Sequence, residues 1–139
     1  MKRFFVSLAL TLSIVSCSLD DNNANDFKIE TLPIKSAVVP EAFTWGSNHT
    51  ITVKYDLPSS CHNFYDLFYQ HEGTARIVAI NSIVNENNTC TDALIEIEYQ
   101  FLVNVVQKED YTFKFWKGVD NNGENIFEEI IVPVNEVTR

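Results

Sequence analysis

Helical periodicity is almost absent from this chain, and so are several other features that would point to chemistry. Glycine and proline occur four times each in 139 residues, and no Gly-rich or Ser-rich linker divides them. No internal repeat is visible, so the length fits one globular domain. Histidine occurs three times, at His49, His62 and His71, with neither His-x-x-x-His nor His-Glu-x-x-His spacing. That leaves no recognisable zinc motif. Basic residues are outnumbered 10 to 19 by acidic ones, a net charge of −9. Nucleic acid and anionic lipid faces are therefore poor direct partners. The longest apolar run, residues 4–15, has 12 residues, short of the roughly 20 that a spanning helix needs.

What the chain does have begins at its start. Lys2 and Arg3 precede the apolar run Phe4-Phe5-Val6-Ser7-Leu8-Ala9-Leu10-Thr11-Leu12-Ser13-Ile14-Val15, which Ser16 and Cys17 close. A cationic lead and a short apolar stretch make a secretory signal over residues 1–16. Ile14-Val15-Ser16-Cys17 resembles the lipobox of bacterial lipoproteins. That resemblance implies lipidation of the Cys17 thiol, cleavage before it, and acylation of the new amino terminus. Two or more acyl chains hold a membrane firmly where one is marginal. Residues 17–26 then form a polar, acidic tether with too little apolar content to order itself, and its nine residues after Cys17 reach about 30 Å when extended. Within it, Ser18-Leu19-Asp20-Asp21 resembles the acidic tetrad after the lipidated cysteine of surface-exposed Bacteroidota lipoproteins. The expected location is thus the outer membrane, facing the cell exterior, with the periplasmic face as the alternative.

The lipobox also settles the cysteine count. With Cys17 acylated, Cys61 and Cys90 remain as a pair in an oxidising compartment, and a disulfide between them is expected. Cleavage removes Lys2 and Arg3 and leaves 8 basic against 19 acidic residues, a mature charge of −11.

From residue 27 onward the apolar residues recur with period two. Residues 27–39 read as an extended segment broken by Pro33, an edge strand or one that changes sheet. Ile51, Val53, Tyr55 and Leu57 alternate with polar residues as a half-buried strand. Residues 61–70 are apolar on both faces, which suggests a central strand covered on each side, with a short helix as the alternative. Ile77 and Ala79 oppose Val78 and Ile80 in the next strand. Ile95, Ile97, Tyr99, Phe101, Val103 and Val105 line one face of another, and Tyr111, Phe113 and Phe115 alternate in its successor. Asp120-Asn121-Asn122-Gly123 is a hairpin turn, and residues 127–134 supply the last strand. About seven strands without crossover helices predict an all-β, antiparallel β-sandwich over residues 27–139. Glu109-Asp110-Tyr111-Thr112-Phe113 resembles the tyrosine corner of immunoglobulin-like and fibronectin-like domains, which implies that architecture; the cysteines do not match the usual inter-sheet bridge.

Candidate chemistry is sparse. Ser59-Ser60 lies near His62 but lacks the glycine-flanked elbow of a hydrolase. Glu96 and Glu98 share one strand face roughly 7 Å apart, which suits a glycosidase pair but also an ordinary solvated face. Asp120, Asn122 and Glu124 offer oxygens to calcium, yet the loop lacks the EF-hand length and terminal Glu. Asn48-His49-Thr50 and Asn87-Asn88-Thr89 match the glycosylation sequon by chance in a bacterial setting. Trp45, Trp116, Tyr65 and Tyr69 are the candidates for ligand contact. No catalytic residue, metal or cofactor is expected. The expected role is a non-catalytic binding or accessory module for a glycan or protein in the envelope, with a small envelope hydrolase as the alternative.

The anchor is directly testable. Cys17→Ala is expected to move the protein out of the membrane fraction, read by fractionation and blotting; continued membrane retention contradicts it.

Overall fold

A computed structural model describes residues 27–86 and 89–135 of the chain. Cys17, the lipobox and the tether lie outside these residues. Ten strands run in the order β1 (Phe27–Leu32), β2 (Ile34–Val38), β3 (Phe43–Thr44), β4 (Asn48–Leu57), β5 (His62–Glu72), β6 (Ala75–Asn85), β7 (Ile95–Asn104), β8 (Tyr111–Val119), β9 (Asn125–Val132) and β10 (Val134–Asn135). No helix occurs among the described residues. The fold is an all-β sandwich, as the alternation implied. The strand count exceeds the expected seven because Pro33 splits the first segment in two and because β3 and β10 are two-residue strands.

One layer holds five strands. β6 is its centre: β5 runs antiparallel along one edge, while β1 and β8 share the other. β1 pairs antiparallel with residues 80–85 of β6, and β8 pairs parallel with residues 75–78. β9 completes the layer beside β8. The second layer is β2-β4-β7, and β3 pairs in parallel with β10 at one end. Two pairings are therefore parallel within an otherwise antiparallel sandwich. Proline lacks the N–H that a ladder needs, and Pro33 is where the chain leaves one layer for the other.

The core forms where the two layers' alternating residues meet. Ile51, Val53 and Tyr55 from β4, Val78 and Ile80 from β6, and Tyr111, Phe113 and Phe115 from β8 are buried together. Phe43 meets Tyr111 and Phe113 edge-on, with ring centroids 5.2 and 5.9 Å away, an arrangement favoured by the ring quadrupoles. The β7 face read from the sequence is the inward one, but coverage fades along it: Val103 is 3% exposed and Ile95 46%. β5 departs from expectation. Among the described residues it bonds only to β6 and is an edge strand, and Phe68 on its outer face is 39% exposed.

Two buried tyrosines on this core make a contrast. Tyr111 Oη accepts hydrogen bonds from the Val106 and Gln107 N–H groups at 3.1 and 3.4 Å, the geometry of a tyrosine corner. Above its ring, 4.8 Å from the centroid, sits the Arg76 guanidinium. Arg76 is 3% exposed and donates to the Gly73 and Ala75 carbonyls and to Gln107 Oε1. A buried cation is costly unless its donors are satisfied, and here carbonyl oxygens and the π-face of Tyr111 satisfy it. Tyr55, by contrast, is buried with no hydrogen-bond partner for its hydroxyl among the described residues, and burial raises its phenol pKa.

Cys61 and Cys90 form a disulfide, with Cα atoms 5.4 Å apart. It closes the base of the β5–β6 hairpin, and cross-linking a loop of this size removes unfolded-chain entropy equivalent to about 3–4 kcal/mol.

Urea denaturation separates the two tyrosines. Tyr111→Phe removes the acceptor of two part-buried N–H groups and is expected to cost about 0.5–1.5 kcal/mol. Tyr55→Phe removes an unsatisfied hydroxyl and is expected to be neutral or stabilising. The reverse order contradicts the hydrogen-bond assignment. In the same assay, reduction of Cys61–Cys90 is expected to lower stability by about 3–4 kcal/mol, and thiol titration without reductant finds neither sulfur free.

Candidate functional site

Period-two alternation sends every second residue of the five-stranded layer to its outer face. On that face a cavity of about 280 Å³ is lined by Thr31, Phe68, Gln70, Ile77, Ala79, Asn81, Trp116, Asn125 and Phe127. Every strand of the layer contributes. Phe68 lies opposite Ala79 across β5–β6, and Trp116 lies opposite Phe127 across β8–β9. The parallel register that joins Val78 to Phe115 makes Ala79 and Trp116 the next neighbours. A row Phe68, Ala79, Trp116, Phe127 therefore crosses the sheet, with the small Ala79 as its low point. Gln70 flanks the row on one side, and Asn81 with Thr31 on the other.

The polar groups of the lining are neutral. Thr31 Oγ1 donates to Asn81 Oδ1 at 2.9 Å, and the Trp116 indole N–H donates to Asn125 Oδ1 at 2.8 Å. Both bonds use the amide oxygens. The amide N–H groups of Asn81 and Asn125, and the whole Gln70 amide, have no partner among the described residues. No ionisable side chain lines the cavity. The next cation along the outer face of β8, Lys114, is bound by Glu72 at 2.7 Å.

The turn after β8 sets one wall. Asp120 Oδ1 accepts the Asn122 and Glu124 N–H groups at 2.8 and 2.9 Å, and Gly123 closes the turn with a φ of 83° that favours glycine. Asn125 follows immediately as the first residue of β9. Those backbone bonds, Glu124 first and Asn122 second, hold the Asp120 carboxyl below the usual carboxylate range. They occupy one of the two carboxylate oxygens, Oδ1. No group of His, Cys, Asp or Glu able to hold a metal occurs among the described residues.

The other sequence candidates disperse. Of the four aromatic candidates only Trp116 lines this cavity. Trp45 lies at one end of the sandwich under Lys108, whose Nζ is 5.0 Å from its ring centroid. Tyr65 is the exposed residue at a bulge of β5. Tyr69 turns inward against Phe101 and lines a second cavity of about 270 Å³ with His71, Arg76, Leu102, Val103, Asn104 and Val106. Burial pushes its phenol up, and Arg76 beside it acts in the opposite direction. Glu96 and Glu98 are on the outer face of the other layer, where Lys35 reaches Glu96 at 2.8 Å and Lys54 reaches both. The hydrogen bond from Lys35 holds the Glu96 carboxyl low, the wrong direction for a general acid at neutral pH.

Ser59, His62 and Glu30 do line up: Ser59 Oγ is 2.7 Å from His62 Nδ1, and His62 Nε2 is 3.3 Å from Glu30 Oε2. Ser59 is nevertheless buried, and its Oγ also accepts the Cys61 N–H. Neither cavity described above includes any of the three. The set anchors β1 and the disulfide turn to β5.

Phe68, Phe127 and the amide residues escaped the sequence reading, which treated apolar residues on both faces of residues 61–70 as buried. An outward aromatic on an edge strand was the available signal.

The fold and this cavity define a small β-sandwich domain with a ligand-sized concavity on one sheet face. The chain belongs to the ORF11 β-sandwich domain family, whose model matches residues 51–132. That span contains every residue of the cavity lining except Thr31. Neither the curated proteins nor the solved structures contain a match.

Asp120 yields a pH prediction. A lowered folded pKa contributes stability above the ordinary carboxylate value, and that contribution fades as pH falls through the folded one. Asp120→Asn retains an acceptor without a titrating charge. The melting-temperature advantage of the native protein over Asp120→Asn is expected to be constant above about pH 4 and to shrink below it. A difference that does not change with pH contradicts the Asp120 turn assignment.

Proposed function

We propose that this protein is a lipid-anchored, non-catalytic binding module of a bacterial outer membrane, displayed at the cell surface, whose sheet-face cavity holds a glycan or protein partner. The anchor reading rests on Ile14-Val15-Ser16-Cys17 and its resemblance to a lipobox, and the surface reading on Ser18-Leu19-Asp20-Asp21. The observation that supports binding is the cavity lining: three aromatic rings, three carboxamides and a threonine, with no acid, base or nucleophile positioned for chemistry. Aromatic rings give contact area at little entropic cost, and a few directed polar groups set orientation. The ten residues 17–26 would serve as the tether between bilayer and domain.

Three measurements test this reading. Protease added to intact cells is expected to remove the domain, whereas full protection puts it on the periplasmic side. Chemical cross-linking in cells is expected to join the native protein to one envelope partner, with recovery at least roughly tenfold lower for Trp116→Ala, the effect of losing one hot-spot ring. Undiminished recovery contradicts the cavity as the site. Labelling of Ser59 by a fluorophosphonate probe would contradict the non-catalytic assignment.

A further inference from the structure

We propose that the cavity takes a neutral sugar ring, one unit of an uncharged glycan; this rests on the reading of the cavity as the ligand site and names its ligand class.

A pyranose presents C–H groups on its faces and hydroxyls around its equator. The row across the sheet is built for the faces. Phe68 and Trp116 flank Ala79 from β5 and β8, their backbones two strand spacings or about 9–10 Å apart. A saturated ring in van der Waals contact on both sides needs about 7–8 Å, twice a carbon–carbon contact. The small Ala79, 4% exposed, forms the floor between them, where a larger residue would crowd the two rings. Phe127 continues the aromatic surface beyond Trp116. The negative π-faces of these rings attract C–H groups.

The polar residues suit the equator. Gln70 pairs with Ile77 and Thr31 with Asn81. Ile77 and Asn81 stand four residues apart on β6, so the amides sit at opposite ends of the slot, about 13 Å apart by strand rise. Hydroxyls both donate and accept, and the unspent amides of Gln70, Asn81 and Asn125 answer them.

Charge opposes an anionic ligand. An anionic sugar finds no cation in the lining, since Lys114 is bound by Glu72. Asp66, opposite Asn81, and a net charge of −9 oppose it further. A cationic ligand finds no carboxylate in the lining itself to fix it in place, Asp66 standing beyond the lining opposite Asn81. The volume, about 280 Å³, sits at the small end of ligand sites, which start near 300 Å³, and so matches a single ring rather than a long oligomer.

Detergent-solubilised full-length protein carrying Trp45→Phe keeps Trp116 as its only tryptophan. Native gels containing galactomannan, mixed-linkage β-glucan, arabinoxylan, amylopectin or dextran are compared with gels containing polygalacturonate or heparin. At least one neutral polymer is expected to retard the protein and shift Trp116 emission. The apparent affinity is expected to fall roughly tenfold in Phe68→Ala and in the exposed, fold-neutral Gln70→Ala. The anionic polymers are expected to do neither. Retardation by no neutral polymer, by anionic polymers alone, or to the same degree in Gln70→Ala overturns the assignment. If neutral glycans fail while the cross-linked envelope partner is still lost in Gln70→Ala, the cavity reading stands with a protein ligand and only the sugar falls. If both are unaffected, both fall.

Discussion

Four parallel pairs hold the five-stranded layer together. Residues 75–78 of β6 face residues 112–115 of β8, and among the described residues no other ladder joins β1, β5 and β6 to β8 and β9. Parallel pairing is the weaker kind per residue, so so short a junction needs reinforcement. Arg76 and Tyr111 supply it. Arg76 belongs to the β6 half, stacks on Tyr111 of the β8 half, and donates to Gln107 in the loop between the sheets. The amide of Gln107 in turn donates to the Thr74, Glu109 and Asp110 carbonyls. Three acceptors meet the Arg76 Nη1 and Nη2 donors, which makes a buried cation tolerable.

The cavity depends on that junction. Phe68 and Ala79 belong to one half of the layer, Trp116 and Phe127 to the other. Only the register Val78 to Phe115 puts Ala79 beside Trp116 and makes one continuous row. A one-residue slip would turn every second side chain to the opposite face. The inner face of the clamp, at Arg76 and Tyr111, and the outer face of the cavity, at Ile77 and Trp116, are thus two sides of the same short ladder. The charged network of Lys35, Lys54, Asp56 and Glu96 lies on the other layer.

The sequence made the local pattern legible and the non-local one illegible. Alternation in β4, β7 and β8 identified which side chains share a face, and those faces are the core. Pro33 as a change of sheet, the turn at Asp120, the Tyr111 corner and the Cys61–Cys90 bond were readable because each depends on residues near in sequence or on counting. The parallel ladder was not, because it joins segments more than thirty residues apart. The same blindness misplaced β5: period two reveals that Phe68 and Leu67 point opposite ways, but not that Phe68 is 39% exposed. Trp116 was named as a candidate, and Trp45, Tyr65 and Tyr69 with it, because aromatic type alone does not say which rings share a strand row.

The central claim is that ligand contact falls on the outer face of the five-stranded layer. Side-chain amide and indole N–H resonances of the isotopically labelled protein report that face directly. On titration with a bound neutral oligosaccharide, the account predicts shifts confined to the Gln70, Asn81 and Asn125 amides and the Trp116 indole, with the Trp45 indole unmoved. Shifts centred on Trp45, or on the residues around Tyr69 and Arg76, would contradict it.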